Sequence, residues 1–271
     1  MNPIIIVVAA LTAIPTASLV YGQSRQRTGD RGALQPPQVL YDFRREPQDN
    51  PPKLTPNERE RILSAVFKSY LKNSEDCQRV DETTSGGDYL AAARKAGQIV
   101  PDVVSVSPGA FTAPGEQQTA YIISVGECNA SHADNYGTKR LAIFSGPKLL
   151  ADVDTDFQSG ILRTLDLNGD GVNELLLVGG DMNQGIAVDV ATLVDLQGGH
   201  LHTIKDFGMT REDACASGSR GSQVRASIIR YTPSARGQMP EFHVDNYRAR
   251  CLRNGRLGRW RFLSSGKMPE Q

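Results

Sequence analysis

From Val103 onward the chain is a succession of short β-rich stretches cut by Gly, Asn and Asp turns, and this punctuation restricts the fold more than any other feature. The stretches are Val103–Val106, Thr119–Val125, Leu141–Phe144, Ile161–Leu165, Glu174–Val178, Ala187–Leu196, His200–Ile204, Val224–Tyr231, Glu241–Arg250 and Arg259–Leu263. Roughly ten short strands at this spacing predict a mainly β, antiparallel body, either propeller-like or a sandwich. The 26 Gly and 15 Pro against a single Trp agree with a turn-rich β protein rather than a helical bundle.

One or two helices are expected before that body. Thr55-Pro56-Asn57-Glu58 has the order of a helix start, with Thr as N-cap, Pro at the first helical position and Glu three residues after the cap. Ile62, Leu63, Val66, Phe67, Tyr70 and Leu71 follow at helical spacing and form one apolar face. A short second helix is expected from Asp88 to Lys95. We read residues 55–100 as a helical segment packed on a β domain at 101–266, and residues 23–54, rich in Pro, Gln, Arg and Asp, as a disordered linker.

The apolar run from Ile4 to Ile14, followed by small residues near Ala17, Ser18 and Gly22, has the length of a secretory signal peptide over residues 1–22. An uncleaved membrane anchor is the alternative, although Thr12, Pro15, Thr16 and Ser18 dilute the run. The expected location is secreted or periplasmic. Four cysteines without a Cys-x-x-Cys suit an oxidising compartment, and sequential pairing gives Cys77–Cys128 and Cys215–Cys251. Asn129-Ala130-Ser131 forms a glycosylation sequon.

The chemistry-bearing motif is Asp166-Leu167-Asn168-Gly169-Asp170-Gly171-Val172-Asn173-Glu174. Oxygen-bearing side chains fall at positions one, three, five and nine, with glycine at six. Calcium takes six to eight oxygen ligands, and a tight loop can aim alternate side chains inward. Three carboxylates in one small loop repel one another, by about 4 kcal/mol per pair at 4 Å and an effective dielectric near 20, and a divalent cation reverses that sign. A solvated turn without metal is the plainer reading. In an EF-hand loop position twelve is acidic, but here it is Leu177, inside the apolar run Leu175–Val178. An EF-hand is therefore a poor match.

Asp166–Gly180 instead resembles the acidic loop of FG-GAP or VCBS-type repeats of integrin-like β-propellers, in which a ligand at position nine precedes a hydrophobic strand. The resemblance implies a structural Ca2+ held by the side chains of Asp166, Asn168, Asp170 and Glu174 and by the carbonyl of Val172, in a domain that serves adhesion, recognition or scaffolding. Glu174 departs from the commoner Asp at the last position. The motif occurs once. Asp152-Val153-Asp154-Thr155-Asp156 repeats the one-three-five spacing without the turn glycine, and reads as a degenerate loop or the polar end of a strand.

With 30 Lys+Arg and 30 Asp+Glu the net charge is zero, which gives no bulk attraction to nucleic acid. That zero conceals an asymmetry: residues 151–200 hold nine acidic residues and one basic, residues 225–271 ten basic and three acidic. Arg248, Arg250, Arg253, Arg256, Arg259 and Arg261 gather around Cys251 and Trp260. They read first as the solvated side of edge strands and second as a surface for a polyanion or glycan. His200 and His202 sit two apart, and His132 with Asp134 or His243 with Asp245 can be written as acid–base pairs, but no nucleophile elbow or His-Glu-x-x-His accompanies them.

The expected function is an exported, calcium-stabilised, non-catalytic binding or scaffold module. Its partner would be a protein or glycan, with no nucleic acid and with membrane contact only during export. The alternative is a secreted hydrolase using His132 or His243 with nearby carboxylates.

Overall fold

The computed structural model describes residues 36–47, 51–73, 102–126, 138–155, 158–217, 221–252 and 256–269. The signal peptide, the Asp88–Lys95 helix, Cys77–Cys128, the sequon and His132 lie outside them. No helix among the described residues is long and apolar enough to cross a membrane. The body is mainly β, in two antiparallel sheets.

The smaller sheet is a meander of β2 (Asp102–Gly109), β3 (Gln118–Gly126), β4 (Thr138–Ser145) and β5 (Lys148–Asp154). Alternation along its strands separates two apolar faces, as the two-residue period of a strand requires. Val103, Ile123, Ala142 and Phe144 face the helix α1 (Pro56–Asn73), where Ile62, Leu63 and Val66 are fully buried against them. The neighbouring positions Ala120, Ile122, Leu141 and Ile143 point the other way, towards the larger sheet. α1 starts as expected. The Thr55 N–H donates to Glu58 Oε2 at 2.9 Å and the Glu58 N–H donates to Thr55 Oγ1 at 3.3 Å, a reciprocal cap for two free amides. The side chains of Phe67, Tyr70 and Leu71 lie outside the described part.

The larger sheet runs β12-β11-β10-β9-β8-β7-β6, formed by β6 (Gln158–Leu165), β7 (Glu174–Asn183), β8 (Ile186–Gln197), β9 (His200–Asp213), β10 (Gln223–Thr232), β11 (Glu241–Arg250) and β12 (Arg261–Lys267). β7 is buried on both faces. Leu175 and Leu177 meet the smaller sheet, whereas Leu176 and Val178 enter a second cluster with Ala191, Leu193, Phe207, Ala226 and Phe242. Full burial of each such side chain contributes about 1.5–3 kcal/mol, so this one strand anchors two cores. Polar links also join the sheets: the Ile161 N–H donates to Ser105 Oγ at 3.1 Å, and Thr164 donates to Ser107 at 2.7 Å.

β9 carries three extra residues against β8, with register shifts opposite Asp189/Val190, Ala191/Thr192 and Leu193/Val194. Bulges bend a strand and increase its twist. At the loop end of the sheet the Gly237 N–H, in the β10–β11 turn, donates to the Asn168 carbonyl, in the β6–β7 loop, at 2.6 Å.

One expectation is corrected. Within the stretch read as a disordered linker, Gln38–Asp42 is a strand, β1, paired antiparallel with β10. β9 covers Val224–Ala226 on one edge of β10, and β1 continues along it over Ile228–Tyr231, with Leu40 and Phe43 wholly buried. Cys215 and Cys251 form the expected disulfide, Cα–Cα 5.5 Å, tying the end of β9 to the end of β11.

Candidate metal centre

Asp166–Glu174 is the loop between β6 and β7, and it is folded around its own amides. Asp166 accepts the Gly169 N–H through Oδ1 (2.7 Å) and the Gly171 N–H through Oδ2 (2.9 Å). Asn168 Oδ1 accepts the Asp170 N–H at 2.9 Å, and Asp170 Oδ1 accepts the Val172 N–H at 2.7 Å. These are Asx turns placed in series, the local bonding that short polar side chains favour in turns. Gly171 has φ +92°, and a Cβ there would come within 2.9 Å of Pro114 Cβ. Glycine is needed on both counts.

Beneath the turn, Glu174 is almost fully buried at the start of β7. Its Oε2 accepts the Leu167 N–H at 2.7 Å. Burial pushes its pKa up to about 7, with the charges of Asp166 and Asp170 adding to the rise and amide hydrogen bonds opposing it.

The loop is also tied to two distant segments. Arg236 donates to the Gly169 carbonyl at 2.8 Å, beside the Gly237–Asn168 bond. Asn173, the position the ligand pattern skips, exchanges two hydrogen bonds with Ala110 just after β2. Gly109 allows that approach, since a Cβ there would meet Asn173 Oδ1 at 2.9 Å and Phe111 Cζ at 2.6 Å.

The donor set is therefore all oxygen, on one nine-residue turn, with one carboxylate buried. That chemistry fits a hard cation. The carboxylates of Asp166, Asp170 and Glu174 do not, however, converge within 4.8 Å of one another. Among the described residues the group that does is Asp213, Cys215 and Cys251, whose sulfurs form the disulfide.

The remaining sites are scattered. Asp152 is on β5 and pairs with Arg140 at 2.8 Å, so the second acidic stretch begins as a strand end and not as a loop. His202 pairs with Asp195 at 3.0 Å across the β8–β9 hairpin. His243 contacts Glu241 at 3.4 Å, whereas Asp245, its expected partner, accepts bonds from Arg230 (2.8 Å) and Ser265 (2.6 Å). That corrects the His243–Asp245 pair: the two residues are two apart on β11, and the carboxylate is claimed by β10 and β12.

No family model, no curated protein and no solved structure matches this chain.

Proposed function

We propose that the chain is an exported β domain acting as a non-catalytic binding or scaffold module, stabilised by Ca2+ at the β6–β7 loop. The ligands would be Asp166, Asn168, Asp170 and Glu174 through their side chains and Val172 through its carbonyl. The observation that supports this reading best is the buried Glu174 carboxylate under a turn that already carries Asp166 and Asp170. Three carboxylates this close in sequence, one of them removed from water, repel one another, and a divalent cation turns that repulsion into attraction. The resemblance of Asp166–Gly180 to FG-GAP or VCBS-type loops points the same way.

The role of the ion would be structural. The loop touches the end of β2 through Asn173 and the β10–β11 turn through Asn168 and Gly169, so stiffening it stiffens three segments together. An ion that binds only the native state at 100 times its Kd adds about 2.7 kcal/mol. EDTA should lower the melting temperature, excess calcium should restore it, and Asp166→Ala should abolish the response. Identical melts for wild type and variant at every calcium concentration would discard the metal.

A further inference from the structure

The register of the larger sheet's outer strands places arginines directly opposite one another. Arg225 on β10 faces Arg248 on β11, and Arg248 faces Arg261 on β12. Directly opposed residues lie on the same face with their Cβ atoms about 5 Å apart, and like charges in that relation destabilise a sheet. Here three guanidinium groups stand in one row across three strands. Glu212 on β9 lies opposite Arg225 at one end of the row, and beyond it the register continues through Val188 on β8 to Asp181 on β7. Arg250 stands two residues from Arg248 and hence on the same face. None of Arg225, Arg248, Arg250, Arg259 and Arg261 makes an ion pair or a side-chain hydrogen bond with the described residues.

The face is also concave. A cleft of about 470 Å³ is lined by Arg248, Arg250, Arg259, Arg261, Gln223 and Leu252. A second, of about 300 Å³, adjoins it through Arg248 and reaches Glu212, Arg225, Met209 and Leu263. The core lies on the other side: Val224, Ala226 and Ala249 alternate with the arginines and are buried. Burial therefore does not require this charge.

We infer that this arginine face binds a linear acidic polysaccharide, its carboxylate or sulfate groups lying along the Arg225–Arg248–Arg261 row. A row of fixed cations perpendicular to the strands matches a chain with regularly repeated anions, and guanidinium groups engage carboxylate and sulfate-like oxygens in paired hydrogen bonds. Single-stranded nucleic acid is a weaker match. Tyr247 is the one aromatic lining these two clefts, and its ring is already occupied, edge-on by Phe262 and across its face by the Arg44 guanidinium 4.7 Å from the centroid, so bases lack a free stacking surface beside the row. A bilayer is flat, and these clefts recede from it. The inference is independent of the calcium loop.

The experiment measures binding of fluorescent alginate and dextran sulfate to the full chain in 0.15 M salt. Neutral dextran, a single-stranded DNA oligonucleotide and phosphatidylglycerol vesicles serve as comparisons. The wild type should bind both acidic polysaccharides more tightly than DNA or vesicles, and neutral dextran not at all. The triple variant Arg225→Gln, Arg248→Gln, Arg261→Gln should lose on the order of tenfold or more in affinity, with a shallower salt dependence. The corresponding triple lysine variant should fall between the glutamine variant and the wild type, because the charge persists while the paired guanidinium hydrogen bonds are lost. The glutamine variant should melt no lower than wild type, since it removes repulsion. If it fails to fold, Arg261→Gln alone, on the exposed edge strand, gives the same comparison. Undiminished binding by the glutamine variant, tighter binding of DNA or vesicles, or no binding of either acidic polysaccharide would overturn the assignment.

Discussion

Asn173 and Ala110 behave as a pair of strand neighbours although no strand joins them. The Asn173 N–H donates to the Ala110 carbonyl at 2.6 Å, and the Ala110 N–H donates to Asn173 Oδ1 at 2.8 Å. Backbone and side chain of one residue thus satisfy both polar groups of another that is 63 positions away and buried. This exchange links the end of the smaller sheet to the loop of the larger one. Asn173→Ala leaves the Ala110 amide without an acceptor, which costs about 1–3 kcal/mol. Asn173→Asp keeps an acceptor and should recover part of the loss. Urea unfolding of the two variants against wild type measures the difference.

Glu174→Gln separates the loop's two tasks. Glutamine retains an oxygen for the Leu167 N–H, so the calcium-free fold should persist with its melting temperature close to wild type. The same change removes the buried negative charge, and the calcium-dependent rise in melting temperature should shrink markedly. Melts at matched calcium and EDTA concentrations read both effects.

The position of the loop was legible in the sequence and its wiring was not. Asp166, Asn168, Asp170, Gly171 and Glu174 announce a tight acidic turn through spacing alone. Asn173 stands at the one polar position outside that spacing, and its partner is fixed only when the two sheets meet. The Thr55–Glu58 cap was legible because it is completed within four residues. β1 was not, because prolines and arginines flank a five-residue run whose partner is supplied by β10. The three bulges of β9 were equally hidden, since a bulge is a relation between two strands and not a property of one.

Asp189 should make stability depend on pH. It sits on β8 beside Arg211, which lies 4.0 Å away and is claimed more closely by Asp213 at 2.6 Å. Burial raises the Asp189 pKa to about 6, and Arg211 offsets this only in part. The unfolded chain ionises this group near its ordinary value of 3.8, so between about pH 4 and pH 6 the folded state holds the extra proton. Through this residue, stability is greatest below pH 4 and falls as pH rises to 6, by on the order of 2–3 kcal/mol. Asp189→Asn should flatten that decline. Denaturant titrations from pH 4 to pH 8 follow it directly.

Leu40→Ala tests whether β1 belongs to the folded body. Leu40 is 1% exposed and packs in the cluster with Phe43, Leu176 and Ile229. Truncation in such a site costs about 2–5 kcal/mol, whereas a change in a solvated spacer costs less than about 0.5 kcal/mol. Chemical denaturation distinguishes the two outcomes, and Val39→Ala, at an exposed position of the same strand, is the control.

The pairing of β1 with β10 carries a temporal consequence. Tyr231 donates to Gln38 across 193 positions of sequence. Synthesis delivers the amino-terminal strand first, so Gln38–Phe43 must wait, unmatched, while nearly the whole molecule emerges behind it. Contacts so remote in sequence form slowly, because a long loop must close before any interaction compensates for it. Because β1 is synthesised well before β10, the bed that receives Leu40 and Phe43 is completed only when these two distant segments meet.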